Sequence, residues 1–189
     1  MNLFDILGPV MVGPSSSHTA GIGHGTDKAL IAGLLGMHPD DIRIPASFDL
    51  AKKAGMEFTF STVTLKDAHP NTAVLRLSGE HGRKIEVQAA SIGGGRILIA
   101  KLDGIEVNFT AEKPTLIVHN VDQPGHVAQV TTMLAEKQVN IATLQLYRDK
   151  RGGYAVMVIE TDQEVPEESV TWLEQLDGII KVTYINVEE

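Results

Sequence analysis

In the last third of the chain the hydrophobic pattern changes period in a fixed order. Residues 114–120 (PTLIVHN) form a short apolar run rich in β-branched side chains, which predicts a buried strand. Asp122-Gln123-Pro124-Gly125 is turn chemistry. Val127, Val130 and Leu134 then recur at helical spacing and predict a helix over about 125–137. Residues 140–149 alternate in part and predict a strand. Arg151-Gly152-Gly153 predicts a hairpin turn, with residues 154–161 (YAVMVIET) as the partner strand. Pro166 suits the first turn of a helix whose buried stripe is Val170, Leu173 and Leu176, and Gly178 suits its end. Residues 179–187 predict a last strand. The order β-α-β-β-α-β predicts a ferredoxin-like unit, a four-stranded antiparallel sheet with both helices on one face.

The earlier part has a different texture. Residues 1–25 are rich in Gly, Pro and Ser and predict little regular structure. Thr26 or Asp27 can cap a helix carrying Leu30, Ile31, Leu34 and Leu35, and residues 47–55 predict a short second helix. Strands are predicted at 56–63, 73–78, 83–90, 96–102 and 105–109, with Asp103-Gly104 as a two-residue hairpin turn. This half is an α+β domain dominated by antiparallel strands. Ala111-Glu112-Lys113-Pro114 is a polar bridge, which sets the domains at 1–112 and 113–189. The halves show no internal repeat.

Composition narrows the classes of function. Of the residues, 43% are apolar and 21% charged, which is globular rather than disordered. The net charge is −8 and no basic patch exceeds Lys150-Arg151, so nucleic acid is not an expected partner. There is no cysteine, which excludes a disulfide framework, a thiol nucleophile and an iron–sulfur cluster held by this chain. No leader pattern and no apolar run of membrane-span length is visible, so the expected setting is the cytoplasm.

Five motifs could carry chemistry. In Pro14-Ser15-Ser16-Ser17-His18-Thr19-Ala20-Gly21, five consecutive polar side chains could not be satisfied in a core. Their hydroxyls and free N–H groups suit a carboxylate or phosphate cradle, as against a solvated loop. Ile22-Gly23-His24-Gly25-Thr26-Asp27 places a histidine between glycines that let backbone approach a ligand closely. His69-Pro70-Asn71-Thr72 reads first as a turn, and Ser91-Ile92-Gly93-Gly94-Gly95 as a tight strand connection without phosphate-loop spacing. His18 and His24 have no recognised metal spacing, and no metal ligands are expected in this chain. In the last third, the Asp122–Gly125 turn opens a helix whose free N–H groups could meet an amino-acid carboxylate.

Taken in order, PSSSHTAG, HGTD, HPNT and SIGGG resemble the beta chain of bacterial iron–sulfur L-serine dehydratase. The C-terminal unit with Asp122-x-Pro124-Gly125 resembles the ACT domain that ends that chain. The resemblance implies conversion of L-serine to pyruvate and ammonia without pyridoxal phosphate. It implies a [4Fe-4S] cluster, ligated by a cysteine-bearing alpha subunit, acting as Lewis acid on the serine hydroxyl. It implies a first domain similar to the allosteric substrate-binding domain of some phosphoglycerate dehydrogenases. Ser15, Ser16, Ser17 and Thr19 would bind the substrate carboxylate, His18 or His24 would act as base, and His69, Asn71 and Thr72 would add substrate contacts. Asp122, Pro124, Gly125 and His126 would form an effector site, and copies would pair through the ACT domain. This sequence departs from the family at one place: several tens of residues separate HTAG from HGTD there, and only Ile22-Gly23 here.

Two rivals belong to other classes. A non-enzymatic, amino-acid-sensing ACT protein would also need no cysteine. A pyridoxal phosphate dehydratase would need a Schiff-base lysine, and none lies in the Ser-rich or Gly-rich loops.

Overall fold

The computed structural model describes residues 25–79 and 84–186. The chain divides into two compact units, with the division between Ala100 and Lys101. The predicted unstructured stretch 1–25 lies outside the described residues except for Gly25.

Helix α1 (Thr26–Leu34) buries Ile31, Ala32 and Gly33. Its N-cap is Gly25 at φ 95°, with no side-chain cap, so neither Thr26 nor Asp27 caps it. Both lie inside the first turn, where the Asp27 carboxylate accepts the neighbouring Lys28 N–H at 2.9 Å. A 3-10 turn (Ile44–Ala46) leads into α2 (Ser47–Lys53). The buried Ser47 hydroxyl donates to the Lys28 carbonyl at 2.9 Å and ties α2 to α1.

The predicted strand at 56–63 does not form; no residue from 54 to 71 is in a strand. Phe58 and Phe60 instead pack their rings on Phe48 of α2, with centroids 5.0 and 5.9 Å away. The side-chain alternation of a strand is kept, but among the described residues no neighbouring strand takes its backbone groups.

Strands β1 (Thr72–Ser78), β2 (Lys84–Gly93), β3 (Arg96–Leu102) and β4 (Ile105–Phe109) form a sheet in chain order. β1 and β2 pair antiparallel from Thr72↔Ala90 to Ser78↔Lys84. β2 runs three residues beyond its predicted end. Gly93, Gly94 and Gly95, all at positive φ, then turn the chain into β3, a backbone path that side chains would strain.

The C-terminal elements follow the predicted order: β5 (Thr115–Val121), α3 (His126–Glu136), β6 (Ile141–Arg148), β7 (Tyr154–Thr161), α4 (Glu167–Glu174) and β8 (Ile179–Ile185). The sheet order is β6-β7-β5-β8, all antiparallel. That is the ferredoxin-like arrangement. Leu116 and Val118 of β5 meet Val130 and Leu134 of α3 and Leu173 of α4 in one dry core. Strand alternation sends Ile117 and His119 to the opposite face, and both are fully buried there too.

Candidate functional site

β5 ends at Val121 and the chain turns through Asp122-Gln123-Pro124-Gly125 into α3. Asp122 is a fixed post in that turn. Its carboxylate accepts the Gly152 N–H at 2.9 Å and pairs with Arg148 at 3.0 Å, and its own N–H donates to the Gly153 carbonyl at 2.8 Å. The Gly152 N–H, and then the Arg148 guanidinium, hold this carboxyl below the usual carboxylate range. The turn is thereby tied to the β6–β7 hairpin. Gly125 serves as N-cap at φ 107°, and no side chain caps the helix.

The first N–H groups of α3 are therefore open to an anion. Beside them, His126 is buried, 7% exposed. Its Nδ1 meets Gln129 Oε1 at 3.2 Å, and its buried Nε2 has no partner. Gly178 faces this ring: a Cβ at 178 would lie 2.6 Å from Nε2. The four residues read from the sequence as an effector site are thus brought to one helix opening. Asp122 shapes it, Pro124 and Gly125 set its backbone, and His126 lies beneath it.

A second group escaped the sequence reading. His119 Nδ1 shares a short hydrogen bond with the Tyr154 hydroxyl, and lies 3.9 Å from Asp103 Oδ2. Asp103 also pairs with Lys181 Nζ at 2.5 Å, and Lys181 is the cross-strand partner of His119. Burial, with the Lys181 charge behind it and Asp103 opposing, pushes His119 down to about 4. Burial and then Asp103 push Tyr154 up to about 12. At neutral pH this is a neutral histidine and a neutral phenol beside one ion pair. The available signal was a histidine inside the β-branched run 114–120.

In the first unit the pairing Thr72↔Ala90 brings two motifs together, since the Ser91 N–H donates to the Asn71 carbonyl at 3.1 Å. The Thr72 hydroxyl donates to the His69 carbonyl at 2.6 Å, and the Asn71 N–H donates to His69 Nδ1 at 3.2 Å. The turn is closed on itself. The His69 imidazole itself is exposed. Ser15, Ser16, Ser17, His18, Thr19 and His24 lie outside the described residues.

A probable L-serine dehydratase beta chain from Bacillus subtilis is 35% identical over 97% of this chain and 97% of its own length. The L-serine dehydratase beta chain of Peptoniphilus asaccharolyticus is 32% identical over the same shares. The chain belongs to the L-serine dehydratase beta-chain family. Residues 114–178 of this beta-chain relative match the ACT domain family, which covers the helix opening and its glycine at 178. D-3-phosphoglycerate dehydrogenase from Methanocaldococcus jannaschii is 29% identical over 71% of the chain, but over 28% of that enzyme. The two beta-chain alignments run over 215 and 216 positions, and this chain has 189 residues, so each relative carries residues that are missing here.

Proposed function

We propose that the chain is one subunit of an L-serine ammonia-lyase, inactive by itself, whose site is completed by a cysteine-bearing alpha chain. The observation that carries this reading is the similarity to two beta chains over 97% of all three sequences. Ser15, Ser16, Ser17 and Thr19 bind the L-serine carboxylate, and His69, Asn71 and Thr72 add contacts from the β1–β2 end. His18 or His24 holds the proton taken from Cα, a task suited to a group that titrates near neutrality. Fixing the carboxylate beside the base supplies the orientation that elimination needs. The chain has no cysteine, and among the described residues no three or more His, Asp or Glu are grouped to hold a metal ion. These residues do not fit a [4Fe-4S] cluster as ligands, and in this reading the alpha chain holds it. Pyridoxal phosphate has no part.

The ACT unit takes an amino-acid carboxylate at the α3 opening. Copies pair along β6, an edge strand that leaves Leu144 and Leu146 36% and 48% exposed. The setting is the cytoplasm; among the described residues no helix is long and apolar enough to cross a membrane.

Anaerobic co-purification with the alpha chain and a pyruvate assay from L-serine test the reading. The complex should form pyruvate and the chain alone should not; pyruvate from the chain alone, or none from the complex, overturns it. In the complex, replacing Ser16 and Ser17 with Ala should raise KM at least about tenfold, from two lost charge-assisted hydrogen bonds. Serine methyl ester should respond much less. The unpartnered His126 Nε2 at an uncapped helix favours a second reading, an amino-acid sensor without catalysis. L-serine binding to the chain alone, with an alpha-chain complex that forms no pyruvate, would select it.

A further inference from the structure

The segment 57–66 (EFTFSTVTLK) is a strand in side-chain pattern that joins no sheet among the described residues. Phe58 and Phe60 point to one side, onto Phe48, as alternate residues of an extended chain do. Residues 57–65 form no backbone hydrogen bond among the described residues. Val63 is 64% exposed and Phe60 37%. Glu57 and Lys66 bracket the run, and neither pairs with an opposite charge among the described residues. An extended backbone with open N–H and C=O groups is a template for another strand.

We propose that this segment is a self-association site: two copies of the chain pair antiparallel through residues 57–66, about a two-fold axis between Ser61 and Thr62. The occupant follows from the sequence of the segment itself. Antiparallel self-pairing in this register sets Glu57 opposite Lys66 of the second copy at both ends. It sets Phe58 opposite Leu65, Phe60 opposite Val63 and Thr59 opposite Thr64. Aromatic–aliphatic, Thr–Thr and opposite-charge pairs are the favourable cross-strand combinations. Each face of the ribbon then carries two phenylalanines of one copy beside Val63 and Leu65 of the other. The site is isologous, as a two-fold interface must be. It is small, so the association is weak and concentration-dependent. It is separate from the β6 edge and does not rest on the lyase reading.

The test uses the full chain without any partner subunit, and benefits from the absence of cysteine. Ser61→Cys and Thr62→Cys, both at exposed positions, are made in separate chains and mixed under mild oxidation. Positions 61 and 62 face each other across the axis, so the mixed pair should cross-link in preference to either chain alone. Amide exchange over 57–65 should slow at every second residue as concentration rises. Glu57→Lys should weaken the association about tenfold, since two attractive pairs become repulsive, and Lys66→Glu in the same chain should restore it. Equal cross-linking in all three mixtures overturns the register. Protection that does not depend on concentration assigns the segment to a contact within one chain. Protection that appears only when the alpha chain is added assigns it to a partner's strand. Either result overturns the proposal.

Discussion

Residues 115–121 and residues 57–65 are both rich in strand-forming side chains: Thr, Leu, Ile and Val with His119 and Asn120 in the first, Thr, Val, Leu and Phe with Glu57 and Ser61 in the second. β5 lies between β7 and β8 and is paired on both edges, and its first six residues are buried. The second segment has Phe48 of α2 against one side and, among the described residues, no strand along its backbone. Strand propensity is high in both, so it does not decide the outcome. What differs is the supply of neighbours. A strand is a relation between segments, and its pattern specifies a conformation that is completed only by a partner.

That comparison is broken most severely by a charge. Ile117→Asp places a carboxylate where both faces of the sheet are dry, and should cost more than about 4 kcal/mol, enough to unfold the unit in urea titrations. Next comes acid. His119 is held at about 4 in the folded state against an ordinary value near 6.5, so the unfolded chain binds the extra proton first. Stability should be full above pH 6.5 and fall by about 3 kcal/mol as pH drops to 4; His119→Leu should flatten that slope. No loss across this window in the native chain would show that His119 is not kept neutral.

Smaller again is Gly178→Ala. The added Cβ meets the His126 ring at 2.6 Å, on a backbone at φ 82°, and should cost about 1–3 kcal/mol in thermal unfolding. Gly125→Ala shares the positive φ but has no atom within 4 Å, and should cost about 1 kcal/mol. The smallest effect should be Val63→Asp, within about 0.5 kcal/mol at low protein concentration, because in a single chain that side chain contacts mostly water.

The ferredoxin-like unit was legible because its signals are local and agree with its packing. A β-branched run, Pro-Gly before a helix and Gly-Gly in a hairpin each fix one element, and connections are short enough to fix the order. The strand at 56–63 was misread because alternation reports a side chain's preferred neighbourhood and is silent on whether a pairing strand exists. The α1 cap was misread because glycine at positive φ replaced the expected side-chain cap. At the candidate sites, DQPG was visible as a turn, but the buried, unpartnered His126 Nε2 depends on Gly178, 52 positions later. The His119 group was invisible for the same reason: Asp103, Tyr154 and Lys181 are brought to it by register and tertiary contact rather than by spacing.

Asp122 has a further consequence. One carboxylate joins the turn that opens α3 to Arg148 at the end of the edge strand β6 and to Gly152 in the hairpin beyond it. A shift of the helix opening therefore cannot leave β6 unmoved. If the opening holds an amino acid and β6 holds a second copy, the two events share a free energy. Linkage then makes them reciprocal: whatever factor the ligand adds to pairing, pairing adds to the affinity for the ligand. Asp122→Asn would keep the size of the side chain and loosen the joint, so both affinities could persist while the factor that connects them shrank towards one.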